Sequence, residues 1–136
     1  MRKRRFIFLA AVSVLLLAAL FWWATPVTFL EGIPADKVTS IEVFDGGTGI
    51  GFTVVAPEDI QYIVSNLQQA SMQREKLSLG YMGTRFRLTF YDDSGVPLET
   101  LIVNSANTIR KDPFFYRDPD ASLCLDYLDY LVSLES

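Results

Sequence analysis

The residues from Phe6 to Ala24, FIFLAAVSVLLLAALFWWA, carry no charge, and Arg2, Lys3, Arg4 and Arg5 stand directly before them. At 1.5 Å per residue this run makes a helix of roughly 29 Å, close to the hydrocarbon core of a bilayer at about 30 Å. Lipid offers no partner to an exposed N–H or C=O, so the crossing segment must be helical. The basic start keeps the N-terminus in the cytoplasm, Trp22 and Trp23 suit the far headgroup layer, and Pro26 ends the helix. A cleaved signal peptide shares the basic start and apolar centre. The length of the run and the bulk of Trp22 before a cut after Ala24 count against it; a cut after Ala19 stays open. The expectation is a retained single-pass anchor in the plasma membrane, with the rest of the chain extracytoplasmic. No ionisable group lies inside the span, so it reads as a tether rather than an ion or proton path.

Beyond the anchor the pattern changes. Residues 26–37 contain Gly32 and Pro34 and read as a connector that lifts the domain, 38–136, off the bilayer; residues 1–25 form the basic tail and anchor. Val38 to Asp45 alternates and is rich in β-branched residues, which predicts a strand. The glycines 46–49 turn the chain, and Ile50 to Val55 returns as a hairpin. Pro57-Glu58-Asp59 opens a helix, and Ile60, Ile63, Val64 and Leu67 give it one apolar stripe. Ser71 to Leu79 predicts a strand with an irregular start. In Thr84 to Tyr91, Phe86, Leu88 and Phe90 face one way, with Arg85 and Arg87 on the other. Asp92 to Gly95 is a turn, and Leu98 to Asn104 pairs back. Thr108 to Lys111 makes a short further strand, and Asp112 to Arg117 reads as a loop. Asp118 or Asp120 caps a final helix with Leu123, Tyr127, Leu128, Leu131 and Leu134 on its apolar face. The predicted fold is α+β: a transmembrane helix, then an antiparallel sheet with two helices packed on one face.

Charge separates the two parts. The chain has 12 Lys+Arg and 16 Asp+Glu; without the four basic residues of the tail, 8 stand against 16, near −8. Such a domain repels nucleic acid and is expected to stay off an anionic membrane surface. There is no histidine, which removes the commonest general base and transition-metal ligand. The single cysteine, Cys124, cannot form an internal disulfide and reads as a small buried hydrophobe.

Candidate chemistry is sparse. Gly46, Gly47, Gly49 and Gly51 are followed by a strand instead of the helix a phosphate loop needs, so they read as a hairpin tip. Asp112, Asp118, Asp120 and Asp126 lack the spacing of a calcium loop. No serine has a partner to activate it, and no catalytic residue or cofactor is expected. Phe114, Phe115 and Tyr116 remain, either pinned in the core or forming a contact patch. With Arg85 and Arg87 they are the candidate binding residues of a non-enzymatic, membrane-tethered module for a protein or peptide. A small-ligand or metal-ion sensing domain is the alternative.

IEVFDGGTG, PEDIQYIVSNL, LGYMGTRFRLTFYDDSG and NTIRKDPFFY, with the Leu/Tyr-rich terminal helix, resemble uncharacterised small membrane-anchored extracytoplasmic proteins of Gram-positive bacteria. The resemblance implies a bacterial plasma membrane and brings no activity or site residue with it.

Overall fold

In the computed structural model, which describes residues 2–135, the apolar run is helix α1 (Arg2–Ala24). Its most apolar window has a mean hydropathy of 2.5, and the rest of the protein buries none of it. It is long and apolar enough to cross a membrane, a test that a signal sequence near the N-terminus also meets. Its one mid-span polar side chain is satisfied internally, the Ser13 hydroxyl donating to the Leu9 carbonyl at 2.9 Å.

Seven strands follow: β1 (Ser40–Asp45), β2 (Gly51–Val54), β3 (Gln73–Leu77), β4 (Phe86–Tyr91), β5 (Pro97–Val103), β6 (Thr108–Lys111) and β7 (Phe114–Arg117). Helix α2 (Pro57–Gln68) lies between β2 and β3, and α3 (Leu125–Glu135) closes the chain. The strands form one open antiparallel sheet in the order β2-β1-β4-β5-β6-β7-β3. Alternation sends Ile41 and Val43, Phe86, Leu88 and Phe90, and Leu101 and Val103 to the inner face. There they share one core with Ile60, Ile63, Val64 and Leu67 of α2 and Leu128, Leu131 and Val132 of α3. The α+β arrangement expected from the pattern is therefore present.

Three local expectations change. Phe114 to Arg117 is a strand, paired with β6 on one side and β3 on the other. Pro113 suggested a loop, but with a cis Asp112-Pro113 bond it sits at a hairpin tip, and the aromatics beyond it are good strand formers. The final helix begins at Leu125, beyond both candidate caps; Asp118 instead accepts from the Asp120 and Ser71 N–H groups, each at 3.0 Å. The connector is folded against the domain: Phe29 and Leu30 are buried in the core, and Val27 forms an antiparallel bridge with Met72.

Candidate functional site

The five candidate binding residues separate into different environments. Arg85 does not share the outer face with Arg87. Its guanidinium donates to Asp45 at 2.5 Å and also pairs with Asp129 of α3, closing one end of the sheet against the helix layer. Asp45 is buried, which works to raise its pKa. Donation from the Gly47 N–H, the Thr48 hydroxyl and Arg85 outweighs this and holds the carboxyl below its usual value. Arg85 is thus a structural cation.

The aromatics of β7 also divide. Tyr116 faces inward, edge-on to Phe29 with ring centroids 5.1 Å apart. Phe114 meets the end of α1, edge-on to Trp22 at 5.7 Å and to Trp23 at 5.5 Å. Phe115 points to the outer face but is buried, with the Tyr81 ring edge-on at 5.1 Å. Core packing and contact with the end of α1 account for all three.

Arg87 is different. It stands in a row that crosses six strands: Phe44 of β1 is in register with Arg87, Arg87 with Ile102, Ile102 with Arg110, Arg110 with Phe115, and Phe115 with Lys76. The row alternates apolar and cationic side chains on the outer face. The loop after β3 roofs one half of it. Arg110 donates to Asp112 at 2.9 Å and to the Tyr81 carbonyl at 3.2 Å, and Phe115 lies under Tyr81. The other half is open. Phe44 faces Gly51 on the edge strand β2, which has no side chain to cover it, and Phe44 stays 40% exposed. Arg87 reaches toward that ring, 6.0 Å from its centroid, and its side chain has no hydrogen bond or ion pair among the described residues.

The open half forms a shallow depression of about 420 Å³ lined by Glu42, Phe44, Gly51, Thr53, Arg87 and Thr89. Beside it the Tyr91 hydroxyl donates to Glu42 at 3.1 Å, fixing the acid next to the cation. An aromatic surface, an unpaired guanidinium and a carboxylate on a flat, half-apolar floor can hold a peptide side chain and its backbone. β2 ends the sheet order, so it also offers an edge to which an extended segment can add.

The other sequence candidates have separate duties. Asp112 accepts from the Ser78 hydroxyl at 2.5 Å and from Arg110. Those bonds hold its pKa below the usual value. No group of three or more Asp, Glu, Cys or His side chains gathers among the described residues in a way that could hold a metal. Cys124 is buried, which pushes its thiol pKa up to about 12. Gly46 is fixed by a close approach instead of by freedom of rotation: a Cβ there would stand 1.7 Å from the Thr84 carbonyl oxygen.

Sequence reasoning missed Phe44 and Ile102. The alternation of Ile41 and Val43 with Glu42 and Phe44 does put an aromatic on the polar side of β1, which was the available signal. It gives no strand order, and strand order is what brings Phe44 beside Arg87. No family model, curated protein or solved structure matches the chain.

Proposed function

We propose that this chain is a non-enzymatic, membrane-tethered module that binds a protein or peptide segment on the open half of its outer sheet face. α1 is its retained anchor, with the basic N-terminus in the cytoplasm and the α+β domain outside a bacterial plasma membrane. Arg87, standing unpaired between Phe44 and Ile102, is the observation that carries the reading. An exposed cation among apolar side chains, on an otherwise acidic domain, favours a segment with a carboxylate beside an apolar residue.

The test is Arg87→Glu in the full chain expressed in its own cells. The reading expects thermal unfolding to stay unchanged while the complex isolated from membranes with the wild-type chain is lost. An undiminished complex with Arg87→Glu would remove the open face as the binding site.

A further inference from the structure

We infer that the tip of the β3–β7 ribbon, Leu77 and Leu79 with Lys76 beside them, rests on the anionic surface of the bilayer next to the anchor. The inference depends on α1 being that anchor.

Direction comes from the pairing. Val27 bridges Met72 in antiparallel sense, so β3 runs back along the chain that leaves the membrane. Arg74, two residues on, donates to the Thr25 carbonyl at 3.2 Å and the Trp22 carbonyl at 2.7 Å. Leu77 is in register with Phe114, whose ring meets Trp22 and Trp23. From Met72 to Leu77 the strand therefore retraces the path from Val27 to the tryptophans, which favour the headgroup layer. The C-terminal end of β3 faces the bilayer.

That end is apolar and held firmly. Leu77 is 55% exposed and Leu79 is 66% exposed. Ser78 between them is buried, its N–H donating to the Pro113 carbonyl at 2.7 Å and its hydroxyl to Asp112 at 2.5 Å. A fixed serine thus presents two leucines outward, Leu77 beside the Phe114 ring that meets Trp22 and Trp23 at the end of α1.

Charge points the same way. Five of the eight basic residues outside the tail, Arg74, Lys76, Arg110, Lys111 and Arg117, lie on β3, β6 and β7. Arg110 and Lys111 are paired with Asp112 and Glu99, and Arg117 lies at the far end, so Arg74 and Lys76 are the cations on the membrane side without a carboxylate partner among the described residues. The domain as a whole is repelled by anionic lipid, as its net charge dictates, but this ribbon is its basic border. Cations flanking apolar side chains at the end of a lipid-embedded helix suit phosphate headgroups.

The experiment uses the full chain, one copy per nanodisc of mixed phosphatidylglycerol and phosphatidylcholine, with a nitroxide at a single introduced cysteine. Cys124 is buried with its thiol pKa near 12 and does not compete for label. Leu15→Cys reports on the span, Leu79→Cys on the tip, and Ala106→Cys on the exposed turn at the opposite end of β6. Position 79 should be reached by oxygen in preference to a water-soluble nickel chelate, as position 15 is, with position 106 showing the reverse. In discs of phosphatidylcholine alone the preference at 79 should fall toward that of 106; no change there would overturn the headgroup-charge part. Position 79 behaving like 106 while 15 is in lipid would overturn the inference and leave the anchor standing. Position 15 behaving like 106 would overturn both. Spin–spin broadening at 79 in discs carrying two chains would put a second copy on the leucines and overturn the lipid contact.

Discussion

The guanidinium of Arg74 lies over the Trp22 ring, 3.8 Å from its centroid, and donates to the Trp22 carbonyl at 2.7 Å. The Trp22 carbonyl, at the helix C-terminus where the dipole is negative, otherwise accepts only a long bond from the Thr25 N–H at 3.3 Å, so a cation there serves both the ring and the backbone. Helix α1 and the sheet are joined by this contact as well as by the chain. Arg74→Ala should cost about 1–2 kcal/mol in denaturant unfolding of the detergent-solubilised chain. Arg74→Lys should recover only part of it, because an ammonium cannot stack on the ring as a planar guanidinium does. Equal stability of all three chains would show the contact to be incidental.

Asp45 makes acid stability a direct readout of the β1–β2 tip. Its carboxyl is held below its usual pKa in the folded protein by Gly47, Thr48 and Arg85 despite burial. The sign follows: the stabilisation is complete above the unfolded value, about 3.9, and is lost as pH falls through the lower folded value. Asp45→Asn should lose about 2 kcal/mol at neutral pH and flatten the acid limb of the stability curve. An acid limb unchanged in the variant would assign it to other carboxylates.

Tyr127 governs the alkaline side. Its hydroxyl donates to Asp59 across the α2–α3 contact, and that bond, with desolvation second, raises its pKa to about 12. A raised pKa stabilises the fold below the unfolded value of about 10 and loses that contribution as pH climbs toward 12. Tyr127→Phe should therefore be less stable than wild type at neutral pH, with the difference shrinking above pH 10. A constant difference across that range would contradict the assignment.

Gly46 illustrates what the sequence conveyed and what it withheld. A run of glycines after an alternating strand announced a hairpin, and a hairpin is there. The close approach of Gly46 to Thr84 was not legible, because it depends on β4 lying beside β1. Gly46→Ala should destabilise by more than about 2 kcal/mol, since backbone must move to admit the methyl group. By contrast Gly49→Ala meets no atom within 4 Å and pays only for its positive φ of 77°. Unfolding of the two variants, compared side by side, checks the distinction.

The same division runs through the whole chain. Periodicity within a segment located the apolar helix, the stripe of α2 and the inward face of β4, because each depends on neighbours three, four or two residues away. It did not reveal that Phe114 to Arg117 is an inner strand of the sheet. That follows from β3 adding to the far edge after α2, a long-range pairing with no local signature. The candidate site suffered most. Arg85, just before β4, and Arg87 within it share parity, yet one is drawn to Asp45 and Asp129 and the other is left open, a difference set by α3 and β1.

Phe115 and Phe44 test the reassignment energetically. Phe115 is buried beneath Tyr81, so Phe115→Ala should cost about 3 kcal/mol or more. Phe44 is a partly exposed ring on the outer face, so Phe44→Ala should cost under about 1 kcal/mol while weakening the complex. Equal losses of stability would place Phe44 in the core instead.

The most direct measurement is photo-cross-linking in intact cells from a photoreactive residue at position 44, compared with the same residue at position 115. The account predicts one dominant adduct from position 44 that disappears with Arg87→Glu, and none from position 115. An adduct from 115 and none from 44 would contradict it and return the contact surface to the aromatic strand.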